Sequence, residues 1–110
     1  MRCVTVGCLL LMLGGCGGAL ADGRADFAKG RYPEAKQTFA SLDYASLRWD
    51  DAHRAEYALY RGLTEAALGD RPRAAVWLRE AKAIEDARPG SLSRQDAHRL
   101  KLGLETNDME

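Results

Sequence analysis

The sequence predicts an all-α domain built from helical hairpins, and three observations support this prediction. Alanine, the strongest helix former, is frequent along the whole chain after position 15. Two stretches carry apolar residues on one helical face and are joined by a short turn with glycine and proline. Strand-forming residues are scarce, which disfavours a sheet. The β-branched residues beyond position 15 are Thr38, Thr64, Val76, Ile84 and Thr106.

Length and charge limit the possible functions. The chain has 110 residues, which is enough for one small domain, and it carries 16 basic and 16 acidic side chains. A formally neutral protein has no surplus of positive charge with which to bind a row of phosphates. We therefore expect no nucleic-acid partner.

The first element is a candidate export signal. Arg2 follows the initiating methionine, and a mostly apolar run covers Val4 to Leu13 before two glycines. This order of a short positive region, an apolar core and small residues is typical of a signal peptide. The run is too short to span a bilayer, because a transmembrane helix needs about 20 apolar residues.

The end of this run, Leu13-Gly14-Gly15-Cys16, resembles the lipobox of bacterial lipoproteins. The resemblance implies removal of residues 1–15 and lipidation of Cys16 on its thiol and new amino group. Residues 16–19 would then form a lipidated tether. Gly17 stands where an acidic residue would favour retention at the inner membrane, so the resemblance implies the periplasmic face of the outer membrane.

An ordinary secretory cut near Ala19 to Ala21 is the alternative, and it would leave no anchor. After cleavage before Cys16 the mature chain keeps one cysteine, so it cannot form an internal disulfide. Cleavage removes one basic residue, which leaves a net charge of about −1 from 15 basic and 16 acidic groups. The mature chain is therefore close to neutral as well.

The next elements form an internal repeat with an offset of 39 residues. In each unit a helix ends at a glycine and the next helix begins at a proline, which predicts a tight αα-hairpin. In the second unit the apolar positions predict helices over 51–68 and 72–87. The aligned pairs are Gly23 with Gly62, Ala28 with Ala67, Gly30 with Gly69, Pro33 with Pro72, Ala35 with Ala74, and Phe39 with Leu78.

The last element is a single helix over about 93–105, which suits the terminal cap of a repeat array. We expect the folded domain to cover residues 20–105 and residues 106–110 to form a flexible tail.

The segments 30–35 and 68–75, together with Phe39 and Gly62, resemble tetratricopeptide (TPR) repeats. The resemblance covers about residues 20–90 and implies about two repeats with a capping helix. Three features depart from the family pattern: the spacing is 39 rather than 34 residues, Arg71 replaces the tyrosine of the turn, and the first helix is short. Because two units are fewer than the three a stable array usually needs, a partner protein or a homodimer is expected to add stability.

A candidate binding face lies on the helix over 51–68. His53, Tyr57, Tyr60 and Thr64 follow helical spacing, and Arg61 stands beside them. Tyrosine and arginine are the residues that most often anchor protein contacts. The alternative is that both tyrosines pack on Phe39 and Leu42 inside the array.

The sequence offers no catalytic or metal-binding constellation. Asp50 and His53 could both reach a metal ion, but zinc needs three or four protein ligands. No serine or cysteine of the mature chain has the surroundings of an activated nucleophile. We therefore predict neither an enzyme nor a cofactor.

These observations favour a membrane-anchored module of the bacterial cell envelope that recruits or positions another envelope protein or peptide. One alternative is a carrier or sensor for a small apolar ligand, which would need a deep apolar cavity of about 300 Å³ or more. A secreted helical protein without a lipid anchor is the other alternative.

Overall fold

A computed structural model of the protein describes residues 15–109, and it describes side chains from residue 18 to residue 108. The predicted signal peptide lies outside the described residues except for Gly15. Within the described range the chain forms helices and no strand, so the predicted all-α fold is confirmed. The helices are α1 (Gly15–Ala28), α2 (Tyr32–Ala40), α3 (Asp43–Ser46), α4 (Asp51–Ala67), α5 (Arg71–Ala87) and α6 (Arg94–Met109).

The two predicted hairpins are present and turn in the same way. Gly30 and Gly69 have φ angles of 77° and 86°, a left-handed conformation that favours glycine because it has no Cβ. In both turns the amide after the glycine donates back five residues, from Arg31 to Asp26 at 2.8 Å and from Asp70 to the carbonyl of Glu65 at 2.9 Å. This Schellman arrangement satisfies carbonyls at the helix end and reverses the chain.

The 39-residue repeat is also visible in the packing. A Cβ built on Gly23 would overlap the ring of Phe39, and one built on Gly62 would lie 2.8 Å from the side chain of Leu78. In each hairpin a glycine of the first helix therefore receives the large apolar side chain of the second. Phe39 and Leu78 are both fully buried.

The second hairpin carries the centre of the core. Its helices match the predicted bounds within one residue. Asp50 accepts a hydrogen bond from the backbone amide of His53 at 2.8 Å and so caps the start of α4. Hydrogen bonds from this amide and from the His53 ring also lower the pKa of Asp50. Tyr57, Leu59 and Leu78 are among the largest buried side chains.

Both ends of the helical domain differ from the predicted bounds. Helix α1 begins at Gly15, so residues 16–19, which the sequence predicts as a tether before the helical domain, are part of a helix. Leu20 is buried in the core, which gives the first turns of α1 a packed face.

At the other end, α6 continues to Met109, and the prediction that the helix ends near residue 105 is wrong. The side-chain amide of Asn107 donates to the carbonyl of Arg71 at 3.2 Å, and the Arg71 guanidinium donates to the carbonyl of Asn107. These bonds to α5 hold the last turn against the second hairpin.

The connection between the hairpins, residues 41–50, contains the short helix α3. Ser46 is buried on its inner side, whereas Tyr44 and Leu47 are 77% and 70% exposed. Within residues 15–109, no helix combines the length and the apolar character needed to cross a bilayer.

Candidate functional site

The structure places four of the five predicted binding residues in the interior. Tyr57, Tyr60, Arg61 and Thr64 are 2%, 3%, 4% and 0% exposed, and only His53 is exposed. The five residues are therefore not displayed together on the surface. The interior positions agree with the alternative in part: Tyr57 packs on Phe39 as that alternative predicts, whereas Tyr60 packs on Phe27.

Tyr57 is the aromatic centre of the molecule. Its ring makes edge contacts with Phe39, Trp49 and Trp77 at centroid distances of 6.2, 5.8 and 5.6 Å. Its hydroxyl donates to the carbonyl of Phe39 at 2.8 Å. The same hydroxyl is also within hydrogen-bonding distance of the Asp43 carboxylate. Tyr57 thus joins the first hairpin, the connection and α5 to α4.

Arg61 belongs to a chain of paired charges that is buried at Arg61 and Glu65, whereas its outer members Asp43 and Lys36 are 45% and 37% exposed. Its guanidinium lies 3.3 Å from Asp43 and 3.4 Å from Glu65, over the ring of Trp77 at 5.3 Å. The Glu65 side chain is fully buried, and the Lys36 ammonium lies 3.2 Å from it. Paired charges of this kind hold a fixed geometry, because breaking one pair leaves an uncompensated buried charge.

Thr64 has an internal role as well. Its hydroxyl donates to the carbonyl of Tyr60 one turn earlier, at 2.7 Å. This bond satisfies the hydroxyl without exposing it, so Thr64 is a packing residue in this structure.

Tyr60 occupies a different environment at the junction of α1, α4 and α6. Its hydroxyl donates to the carboxylate of Asp96 at 2.7 Å and accepts from Arg99 at 2.8 Å. Arg24 approaches the same oxygen at 3.4 Å. Burial, followed by the hydrogen bond to Asp96, raises the pKa of Tyr60, so the hydroxyl keeps its proton.

Two arginines flank this hydroxyl, and each is also paired with a carboxylate. The Arg24 guanidinium stacks 4.7 Å from the centre of the Tyr60 ring and binds Glu56 at 2.9 Å. Arg99 binds the carboxylate of Asp96 at 3.0 Å. Both arginine side chains remain about 40% exposed, and each guanidinium has more N–H groups than these contacts use.

These residues line a groove between the first helix of each hairpin and the capping helix. The cavity has a volume of about 540 Å³, and among the residues that the structure describes its charged lining groups are the two guanidiniums. The rest of the lining is aromatic or small and apolar. We call this surface the arginine groove; it is lined by Ala21, Arg24, Ala25, Phe27, Ala28, Tyr60 and Arg99.

A second depression lies on another side of α4, where α3 and α5 meet. Two adjoining cavities of about 260 and 530 Å³ share Asp43, Val76 and Trp77. The charged groups in their walls include both carboxylates and guanidiniums. This side therefore lacks the single sign of charge found in the arginine groove.

The remaining titratable groups of the described part of the chain do not assemble into a metal centre. Among the described residues, no group of three or more His, Cys, Asp or Glu side chains is close enough to hold an ion. Within that range Asp50 and His53 pair with each other at 2.8 Å at the start of α4.

Sequence reasoning missed Arg24, Asp96 and Arg99, and a signal for one of them was present. Extending the 39-residue offset into the last helix aligns Ala21, Tyr60 and Arg99, and all three line the arginine groove. Arg24 and Asp96 have no such signal, because their roles depend on side-chain contacts between helices that are far apart in sequence.

Comparison with known proteins adds no family to this description. No family model matches the chain, and neither the curated proteins nor the solved structures include a significant match.

Proposed function

We propose that the protein is a lipid-anchored interaction module of the bacterial cell envelope. In this proposal Cys16 carries the lipid on the periplasmic face of the outer membrane, and the arginine groove binds a peptide segment of another envelope protein. The observation that supports the binding function is the convergence of Arg24 and Arg99 on the Tyr60 hydroxyl in a groove whose other lining residues are Phe27 and alanines.

The chemistry of the groove defines the segment it would bind. Two guanidiniums side by side match a carboxylate, from an acidic side chain or a chain terminus, because each can donate paired hydrogen bonds. The alanines and Phe27 beside them suit an apolar neighbour of that carboxylate. The expected ligand is therefore a peptide with an acidic group next to an apolar side chain.

The shape and charge of the groove favour a peptide over an apolar small molecule. A carrier needs an enclosed cavity with apolar walls. The arginine groove is open to solvent, and burying its guanidiniums against an apolar ligand would remove their hydration without supplying acceptors.

Packing at the start of α1 supports cleavage before Cys16. A secretory cut after Ala21 would remove Leu20, which is buried in the core. It would also reduce α1 to the seven residues Asp22–Ala28. Loss of the Leu20 side chain alone removes about 1.5–3 kcal/mol of apolar burial, whereas cleavage before Cys16 keeps the packed face intact.

Mass spectrometry of the mature protein tests the anchor. We expect an amino-terminal peptide that begins at Cys16 and carries acyl chains, and we expect a Cys16→Ser variant to leave the membrane fraction. An unmodified amino terminus after Ala19 or Ala21 would contradict the proposed anchor.

Site-specific photo-cross-linking tests the groove. A photoreactive amino acid at Ala25 or Ala28 should cross-link a defined partner, and the same group at the exposed Arg79 on α5 should not. The cross-link should be lost in Arg99→Glu and retained in the charge-matched control Arg79→Glu, with both variants folded by circular dichroism. Equal cross-linking from Arg79, or no effect of Arg99→Glu, would argue against the groove.

A further inference from the structure

Each guanidinium of the arginine groove is paired with a carboxylate of the fold. Arg24 donates to Glu56 at 2.9 Å. Arg99 donates to Asp96 at 3.0 Å. Both carboxylates lie outside the lining of the groove, so they bind the guanidiniums from the protein side. The two guanidiniums and the two carboxylates together carry no net formal charge.

The carboxylates are well fixed in these positions. Asp96 is 6% exposed and also accepts the hydrogen bond of the Tyr60 hydroxyl at 2.7 Å. The Glu56 side chain is 25% exposed, less than that of the arginine it binds. Opposite charges about 3 Å apart cancel most of each other's field at longer distance. An anion that approaches the groove therefore meets guanidiniums whose charge is largely neutralised.

The guanidiniums nevertheless keep hydrogen-bond donors for a ligand. Among the described residues, the acceptors of Arg99 are bound through its Nη1 atom. A guanidinium carries N–H groups on three nitrogens, and the Arg99 side chain is 41% exposed. Its Nε and Nη2 groups can therefore donate to a ligand acceptor. The groove can thus recognise an acceptor by geometry while attracting it with little net charge.

A free anion and a peptide carboxylate gain different amounts from such a site. Phosphate loses hydration on entering the groove, and a pair of neutralised guanidiniums returns little Coulomb energy for that loss. A peptide carboxylate has a similar cost, but its apolar neighbour can also bury against Phe27 and the alanines. Apolar contact therefore decides which of the two ligands binds.

The proposed anchor makes this distinction important, because it places the groove close to lipid phosphates. Ala21 lines the groove and follows Cys16 by five residues, a rise of about 7.5 Å along α1. Arginines near a bilayer surface are attracted to anionic headgroups and bind phosphate through paired hydrogen bonds. A groove with two unpaired arginines would therefore be occupied by the leaflet itself.

We infer that Glu56 and Asp96 determine the specificity of the arginine groove. By neutralising Arg24 and Arg99 they exclude phosphate, whether free or in a lipid headgroup. They restrict binding to a carboxylate that brings an apolar side chain with it. The inference rests on the proposed function, which assigns ligand binding to this groove, and it narrows the class of ligand.

Titration with inorganic phosphate at constant ionic strength tests the inference. The protein is residues 16–110 with Cys16→Ser, and binding is followed by the amide NMR signals of groove residues 25 and 28. Glu56→Gln keeps the size of the side chain and removes its charge. Glu80→Gln is the matched control, because Glu80 pairs with Arg54 at 3.3 Å on another side of α4. Circular dichroism verifies that each variant is folded.

We expect Glu56→Gln to bind phosphate at least about fivefold more tightly than the wild type and Glu80→Gln do. Asp96→Asn is the second variant and should show a gain of similar size. Flotation with phosphatidylglycerol vesicles repeats the comparison for lipid phosphate, and we expect the same order of affinities.

Equal affinity of the wild type and Glu56→Gln in either assay would overturn the inference, and so would an equal gain in Glu80→Gln. Failure of the proposed function would appear separately, as the absence of a photo-cross-link from Ala25 and Ala28.

Discussion

At the scale of single residues, the glycines of the first helices determine how closely each hairpin closes. Gly23 and Gly62 leave room for Phe39 and Leu78, whereas the exposed Gly18 has no neighbouring atom within 4 Å of a Cβ position. All three lie in helices, where glycine costs about 1 kcal/mol relative to alanine. The two packed glycines therefore provide space for the Phe39 and Leu78 side chains, at a cost in helix stability.

We predict that Gly62→Ala destabilises the protein by up to about 2 kcal/mol. The new methyl would lie 2.8 Å from the Leu78 side chain and 3.0 Å from its backbone nitrogen, which cannot move without shifting α5. Overpacking of this kind costs about 1–3 kcal/mol, and the gain in helix propensity offsets part of it. The control Gly18→Ala should be neutral or stabilising in urea unfolding. A stabilising Gly62→Ala would mean that the hairpin is looser than described.

Tyr60 provides a pH-dependent test of the junction between α1, α4 and α6. Its pKa in the folded protein is raised above the ordinary value of about 10, so the folded state holds the proton more tightly than the unfolded chain. The resulting stability is complete below pH 10 and is lost as the pH rises further. The stability of Tyr60→Phe has no such pH dependence from position 60, because phenylalanine has no hydroxyl to ionise.

Across a series of urea unfolding measurements from pH 8 to pH 11, the stability difference between the wild type and Tyr60→Phe should therefore stay constant up to about pH 10 and shrink above it. At pH 8 we expect the variant to be less stable by about 1–2 kcal/mol, because it loses hydrogen bonds to Asp96 and Arg99. A constant difference across this range would show that the hydroxyl is not held in the folded state.

At the scale of helices, the sequence predicts the turns well and the outer ends poorly. Gly30 and Gly69 act locally, so their pattern is sufficient to locate both turns. The ends of α1 and α6 depend on contacts with other helices, such as the bonds between Asn107 and Arg71, and no local pattern reports these. The same reason explains why Arg24 escaped the sequence analysis.

The candidate face on α4 illustrates a related limit. Helical spacing shows that Tyr57, Tyr60 and Thr64 share one side, but it does not show whether another helix covers that side. The first hairpin and the capping helix cover it here, through Phe39 and Asp96. An amphipathic pattern in one helix thus does not show whether helices distant in sequence bury its face.

The last turn of α6 offers a direct test at this scale. Amide hydrogens of residues 105–107 should exchange more slowly with solvent than those of an unstructured peptide. Asn107→Ala should accelerate their exchange severalfold, because it removes the side-chain bond to α5. The exposed Thr106→Ala serves as the control. If these amides of the wild type exchange at the rate of a free tail, the helix ends near residue 105, as the sequence predicts.

At the scale of the whole molecule, the two hairpins share their central side chains. Phe39 belongs to the first hairpin, yet its ring meets Tyr57, and its carbonyl accepts the hydrogen bond from the Tyr57 hydroxyl. Tyr57 in turn contacts Trp77 of the second hairpin. The hairpins are therefore expected to unfold together, unlike repeats that contact their neighbours only weakly.

Phe39 tests this coupling because it lies entirely in the first hairpin. We expect Phe39→Leu to lower the free energy of unfolding by about 1–2 kcal/mol and Phe39→Ala by about 3–5 kcal/mol. If the molecule unfolds as one unit, the slowest-exchanging amides of α5 should lose the same amount of protection as those of α2. Unchanged protection in α5 would show two independent hairpins. In that case the arginine groove, which needs α1 and α6 in fixed positions on α4, would form only while the first hairpin stays docked.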